Sequence, residues 1–290
     1  MTPVAFLTMD DLHGYYSYDA LVEKRLMRMG IKVTNVSWRS QTVNWSDFAM
    51  VVIRSPWDYQ ESPDAFLDAL ACINASSATL WNPLDVVHWN IQKTYLQTIE
   101  SAGIDIVPTR FVDSPTCGEI VNAFDHFDTD QIVIKPVLGA GAKHAFWLRR
   151  DSAQSQLQAI ESVYADRTAL LQPFVPSVID QGETSLIFIE DSFSHAVLKR
   201  PVAGDFRVQE EHGGIVRSID CPAEMIALAQ STLQTAPQSL LYARVDLVEL
   251  PDGRSAVMEL ELIEPSLFLK YAPESVDIFA EAIRRRRLTD

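Results

Sequence analysis

One stretch near the end of the chain, YARVDLVELPDGRSAVMELELIEPS, limits the possible folds more than any other. Asp252-Gly253 is a favoured two-residue hairpin turn, and apolar, alternating runs flank it. Closing the hairpin on that dipeptide sets Asp246 directly opposite Glu259. Side chains alternate along a strand, so Glu259 and Glu261 share a face with Asp246. Met258, Leu260 and Leu262 then point the other way, toward a core. Like charges opposite one another on a sheet are unfavourable. A face that keeps them usually holds cations, and hard carboxylate oxygens suit magnesium bound together with phosphates. The alternative is a solvated strand face on which Arg244 pairs with Glu261.

The chain is long enough, at 290 residues, for a large core and two or three lobes. Its net charge of −15 argues against nonspecific binding to nucleic acid or to an anionic membrane. A local cluster of cations could still hold an anionic ligand. Cys72, Cys117 and Cys221 are far apart and form neither a zinc spacing nor a disulfide framework. That fits a reducing, cytoplasmic location. MTPVAFLTMDD lacks a basic region before its short apolar stretch, so it reads as a first strand and not a signal peptide. No apolar run is long enough to span a bilayer.

The first part of the chain alternates strand and helix. Residues 3–9, IKVTNVSW and FAMVVIRS read as strands. Tyr18 to Met29 has helical spacing and stops at Gly30, and a second helix runs from Ser62-Pro63-Asp64 to Cys72. This pattern predicts a parallel α/β sheet, with ligands beyond the carboxyl ends of its strands. Arg54, Ser55, Trp57 and Asp58 lie at such an end and form a candidate substrate loop. A packed turn with an Arg54–Asp58 pair is the competing reading. A further helix is expected from about Trp89 to Ala102, with Lys93 in its early part. Lys135 ends the apolar strand QIVIKP, just before the loop VLGAGAKH. Gly139 and Gly141 would let backbone amides approach an anion there. Neither the Walker pattern nor the dinucleotide fingerprint is present, since His144 stands where the third glycine of the latter belongs. ALLQPFVPSV meets two prolines and suits a hinge. GETSLIFIED and FSHAVLKRPV read as antiparallel strands, followed by a loop carrying Lys199, Arg200 and Arg207. Arg284–Arg287 reads as a solvated helix end.

The order of these features resembles the ATP-grasp superfamily, in its branch similar to prokaryotic glutathione synthetase. The resemblance spans roughly residues 85–270. It implies an N-terminal parallel α/β domain over residues 1–88, a central ATP-binding subdomain over 89–175, and a C-terminal subdomain with the metal site over 176–290. The last two are α+β units that clasp ATP between their sheets. By position, Lys93 and Lys135 would contact the nucleotide phosphates, and Gly139 to Lys143 would cover them as a flap. Gln172, Pro173, Phe174 and Val175 resemble the hinge strand that meets the adenine. Glu183 is similar to the acid at the ribose. Arg200 and Arg207 would stabilise the transferred phosphoryl group. Asp246, Glu259 and Glu261 would ligate magnesium, two ions by the resemblance, with manganese as a substitute. Glu261 stands where that branch usually has Asn.

RSPWDY, WNPLDVVHWN and ELELIEPSLFL are more similar to a stand-alone subgroup that includes a D-cycloserine-forming ligase. The expected activity is an ADP-forming carboxylate–amine ligase, or a ring-closing one, working through an acyl phosphate on a small amino-acid-like substrate. No nucleic-acid or membrane partner is expected. The oligomeric state is left open, with a homodimer the commonest choice. A small-molecule kinase on the same fold, a noncatalytic nucleotide-binding module and an ATP-independent metallohydrolase are the competing readings.

Overall fold

The structure, a computed structural model, describes residues 3–287. Residues 1–2 and 288–290, at the outer ends of the first and third expected segments, lie outside the described residues. β1 (Val4–Thr8), β2 (Val33–Ser37), β3 (Met50–Ser55) and β4 (Thr79–Trp81) form a parallel sheet in the order β2-β1-β3-β4. β3 is buried at every position because both faces are covered. Helices Asp19–Arg28 and Pro273–Arg286 pack on one face, and helix Pro63–Asn74 packs on the other. Among the described residues no helix is long and apolar enough to cross a membrane.

Two antiparallel sheets follow. β5 (Arg110–Asp113), β6 (Gln131–Pro136), β7 (Phe146–Arg149) and β8 (Thr168–Pro173) pair in the order β5-β8-β6-β7. Helices Cys117–His126 and Leu157–Val163 bury their apolar sides against this sheet. The first of them starts at a capping box formed by Thr116 and Glu119. β9 (Glu183–Ile189), β10 (Ser192–Arg200), β11 (Ile215–Ile219), β12 (Tyr242–Glu249) and β13 (Ser255–Glu261) pair in the order β11-β10-β9-β12-β13. Helix Ala223–Leu233 packs against this second sheet.

The acidic hairpin reaches the expected register by two departures that cancel. Gly253 donates its N–H to Leu250 O at 2.9 Å and takes a φ of +86°. Leu250 pairs with Arg254, so the loop has three residues and not two, with glycine in the left-handed position that such loops require. A bulge between Asp246 and Leu247 then leaves Met258 unpaired. The extra loop residue and the bulge offset each other, so Asp246 faces Glu259 and Arg244 faces Glu261. Leu260 and Leu262 enter the core as expected, while the bulged Met258 is only partly buried, packing against a smaller apolar cluster and lining the cavity.

The helix expected over 89–102 is in fact two, Leu84–Asn90 and Tyr95–Ser101. Asn90 explains the break. Its side chain donates to Leu260 O and accepts from Leu262 N, both at 2.9 Å, which fixes the first helix to the hairpin. Lys93 lies in the gap, its amide held by Val137 O at 2.9 Å. The C-terminal arginines also differ from expectation. Arg285 and Arg286 pair with Glu190 at 2.5 and 2.9 Å, so the helix end is docked and not simply solvated.

Asn82 joins the parallel sheet to the acidic hairpin. Its fully buried amide donates to Tyr242 O at 2.9 Å and Leu262 O at 2.7 Å, and accepts from Leu241 N at 2.7 Å. Asn82→Ala leaves three buried backbone groups without partners. The expected cost is about 3 kcal/mol, read as a lower denaturant midpoint. A midpoint equal to wild type would show that this joint does not hold the two sheets together.

Candidate active site

A cavity of about 630 Å³ lies between the two antiparallel sheets, and the segments around Tyr15 and Trp57 add to its wall. The five-stranded sheet presents Glu183, Lys199, Arg244, Asp246, Glu259 and Glu261 to it, and the four-stranded sheet presents Lys135 and Gln172. Strand alternation puts the six groups of the five-stranded sheet on one face, where acids and cations are interspersed. Lys199 pairs with Glu183 and lies 3.3 Å from Asp246. Arg244 binds Asp246 at 3.0 Å and also pairs with Glu261. Lys135 Nζ stands 3.0 Å from Glu259, and Lys93 Nζ stands 3.7 Å away. The expected metal trio and the competing Arg244–Glu261 pair are therefore both present.

Asp246, Glu259 and Glu261 each offer an oxygen within 4.8 Å of the others. A hard divalent cation fits such a trio. The three acids are not equivalent. Asp246 is 2% exposed and already accepts from Arg244 and Ser185. Burial alone would raise its carboxyl, but the charges of Arg244 and Lys199 outweigh it and hold it well below the usual range. Burial also works against Glu259, yet Lys93 and Lys135 keep it at about 2. Glu261 goes the other way. Burial, with the charges of Asp246 and Glu259 and against that of Arg244, pushes it up to about 7. Burial and the charge of Glu261 push Glu264 up to about 8.

The glycine loop and the hinge meet the same cavity. Gly139, Gly141 and Lys143 line it, as do Gln172, Pro173, Phe174 and Val175. Gly139 O accepts from Lys93 Nζ at 3.0 Å, and Lys143 reaches Glu61 at 2.8 Å. His144 has a φ of +62°, a left-handed conformation at the position where glycine was missed in the sequence. Phe174 stacks on Trp147 with ring centroids 4.4 Å apart. Gln172 donates to Thr109 Oγ1 at 2.8 Å, which fixes the turn into the hinge.

The structure corrects several single-residue expectations. Arg200 points out of the cavity and donates to Gln181 O at 2.9 Å, while its neighbour Lys199 points in. Arg207 lines the cavity and is paired with Asp205 at 2.7 Å. Of the four residues expected in the substrate loop, Arg54, Ser55, Trp57 and Asp58, Trp57 alone lines this cavity, with its neighbours Tyr59, Gln60 and Glu61. Arg54 is buried against Asp19 at 2.9 Å, not against Asp58. Ser55 donates to Thr8 Oγ1 at 3.0 Å. Asp58 accepts from Trp38 Nε1 at 2.7 Å and from Arg39 at 3.1 Å. Sequence reasoning missed Glu264, and it placed Lys199 in the loop with Arg200 and Arg207 although Lys199 lies on the strand. For Lys199 a signal existed: a lysine inside an apolar strand opposite another strand that begins with Glu183.

Residues 4–82 match the family described as the N-terminal domain of D-cycloserine synthetase DcsG. Residues 99–251 match the prokaryotic glutathione synthetase ATP-grasp domain. The cycloserine biosynthesis protein DcsG of Streptomyces lavendulae is 31% identical over 274 residues, covering 89% of this chain and 90% of its own. The crystal structure of D-cycloserine synthetase DcsG superposes with a TM-score of 0.86 at 27% identity, over 98% of this chain and 99% of that one. A RimK domain ATP-grasp protein from Sphaerobacter thermophilus gives 0.71 at 16% identity, over 97% of each chain, a likeness of fold.

Proposed function

This chain belongs to the ATP-grasp ligase family, with DcsG among its relatives, and on that premise we propose that it is an ADP-forming ligase that joins a carboxylate to an amine in a small amino-acid-like substrate. The observation that carries this reading is the paired set of three carboxylates and four cations, Lys93, Lys135, Lys199 and Arg244, that line the one cavity. Such a surface can offer carboxylate oxygens to a metal and cations to a polyphosphate. Asp246, Glu259 and Glu261 would hold magnesium, which would neutralise phosphate charge.

In the proposed reaction a substrate carboxylate attacks the γ-phosphate of ATP. The O–P bond to ADP breaks, and an acyl phosphate forms. An amine then attacks the acyl carbon and expels phosphate. Lys93 and Lys135 would turn from Glu259 to the phosphates, and Arg207 would stabilise charge on the transferred group. Gly139 to Lys143 would exclude water from the acyl phosphate. Residues 172–175 would hold the adenine and Glu183 the ribose, with Lys199 keeping Glu183 in place. The segments 1–88, 89–175 and 176–290 would then act as substrate, nucleotide and metal lobes. The relative's cycloserine product is a ring, so closure within one substrate is the form of the reaction we favour.

Calorimetry with ATP, with and without magnesium, tests the nucleotide site before any substrate is known. Binding that requires magnesium is expected. No binding at millimolar ATP by folded protein would sink the ligase reading. In a later substrate screen, free phosphate beside ADP marks a ligase, whereas a phosphorylated product marks a kinase.

A further inference from the structure

Glu264 lines the cavity but has no task in the nucleotide and metal chemistry proposed above. Its oxygens fall outside the trio of Asp246, Glu259 and Glu261. Among the described residues it makes no ion pair, whereas Glu183, Asp246, Glu259 and Glu261 all do. It is nevertheless firmly placed. Trp57 Nε1 donates to the Glu264 carbonyl at 2.9 Å, and the buried Tyr59 lines the cavity with it. Tyr15 packs on Trp57 with ring centroids 5.4 Å apart, and Phe268 lines the same cavity.

We propose that Glu264, with this aromatic wall, receives the free ammonium group of the substrate. The inference rests on the ligase reading and deepens it. A divalent cation needs six or more oxygens, which one carboxylate among rings does not supply. A primary ammonium needs one counter-charge, and it is also stabilised by aromatic faces. Placement agrees as well. Glu264 lines the same cavity as Asp246, Glu259 and Glu261, so an ammonium here shares that space with the acidic trio. An α-amino acid, with a single carbon between ammonium and carboxyl, would present its carboxyl to the phosphate end of the cavity. Glu264 thereby selects substrates with a free α-amine and orients the carboxyl for activation.

The test uses the whole chain, with D-serine and D-cycloserine as probes and their N-acetyl forms as controls. Calorimetry is run with and without magnesium and ADP. The ammonium probes should bind wild type, and N-acetylation and Glu264→Gln should each weaken binding by about 30-fold or more. The same variant should keep its magnesium-ATP affinity, which also shows that it folds. Equal binding of the N-acetyl probes overturns the proposal. So does full probe affinity in Glu264→Gln, or no binding of either ammonium probe to wild type. A tenfold loss of magnesium-ATP affinity in the variant, about 1.4 kcal/mol, also overturns it by moving Glu264 into the nucleotide site. Failure of wild type to bind magnesium-ATP while it still binds the ammonium probes would remove the ligase reading and leave the ammonium receptor standing.

Discussion

Replacing Glu259 with glutamine is expected to lower ADP formation by at least about 100-fold while the protein stays folded. Glu259 is where the two antiparallel sheets come closest in charge. It faces Asp246 across the hairpin, accepts from Lys135 at 3.0 Å and lies 3.7 Å from Lys93. The low position of its carboxyl, about 2, keeps it firmly ionised near neutral pH. Glutamine keeps the shape but removes the charge that a hard cation requires. Folding should survive, because the Lys93 and Lys135 side chains are 15% and 12% exposed and can still reach water. One of three mutually repelling acids is also neutralised. Two measurements check this: magnesium-dependent ATP binding, and ADP release on any substrate that wild type turns over. A cooperative melt close to that of wild type must accompany them. Full turnover in the folded variant would remove Glu259 from the metal site.

Much of this arrangement could be read from the chain, but some of it for the wrong local reasons. Asp246 opposite Glu259 was expected from a two-residue turn, and it arises from a three-residue loop plus a bulge at Met258. Lys135 at the end of an apolar strand and the paired glycines at 139 and 141 were legible because burial and backbone conformation restrict those positions to few residue types. Lys199 and Arg200 show where legibility stops. Adjacent strand residues point to opposite faces, so choosing between them requires the register of β10 on β9. That register shifts between Phe193 and His195, and nothing in the residue pattern marks the shift. Arg54 failed for another reason. Its partner Asp19 is distant in sequence, on a helix whose packing angle no local pattern specifies. Glu264 lies just past the last strand residue, where alternation no longer predicts direction. Its aromatic neighbours come from a separate loop around Trp57.

Lys199→Met is expected to destabilise the chain by about 3 kcal/mol or more, the larger effect being on folding and not on ligand binding. Lys199 is 3% exposed, and both of its acidic partners are buried: Glu183 at 8% and Asp246 at 2%. Burial works against the lysine charge, yet Asp246 and Glu183 together hold its pKa above the ordinary value. Removing it leaves Glu183 with no cationic partner, while Asp246 keeps Arg244 and Ser185. Most of the penalty therefore falls on Glu183, and this can be isolated. Glu183→Gln in the Lys199→Met background should recover much of the loss, a coupling of about 2 kcal/mol in a double-mutant cycle. Arg200→Met is the control, since among the described residues its exposed guanidinium bonds to a loop carbonyl alone, and its denaturant midpoint should match wild type. Equal midpoints for Lys199→Met and Arg200→Met would show that the buried pair does not stabilise the sheet. A stability loss confined to Lys199→Met and reversed in the double variant would assign the two neighbours opposite roles. One then anchors the charged face of the cavity, and the other remains on the surface, a division that follows from the single-residue shift between β9 and β10.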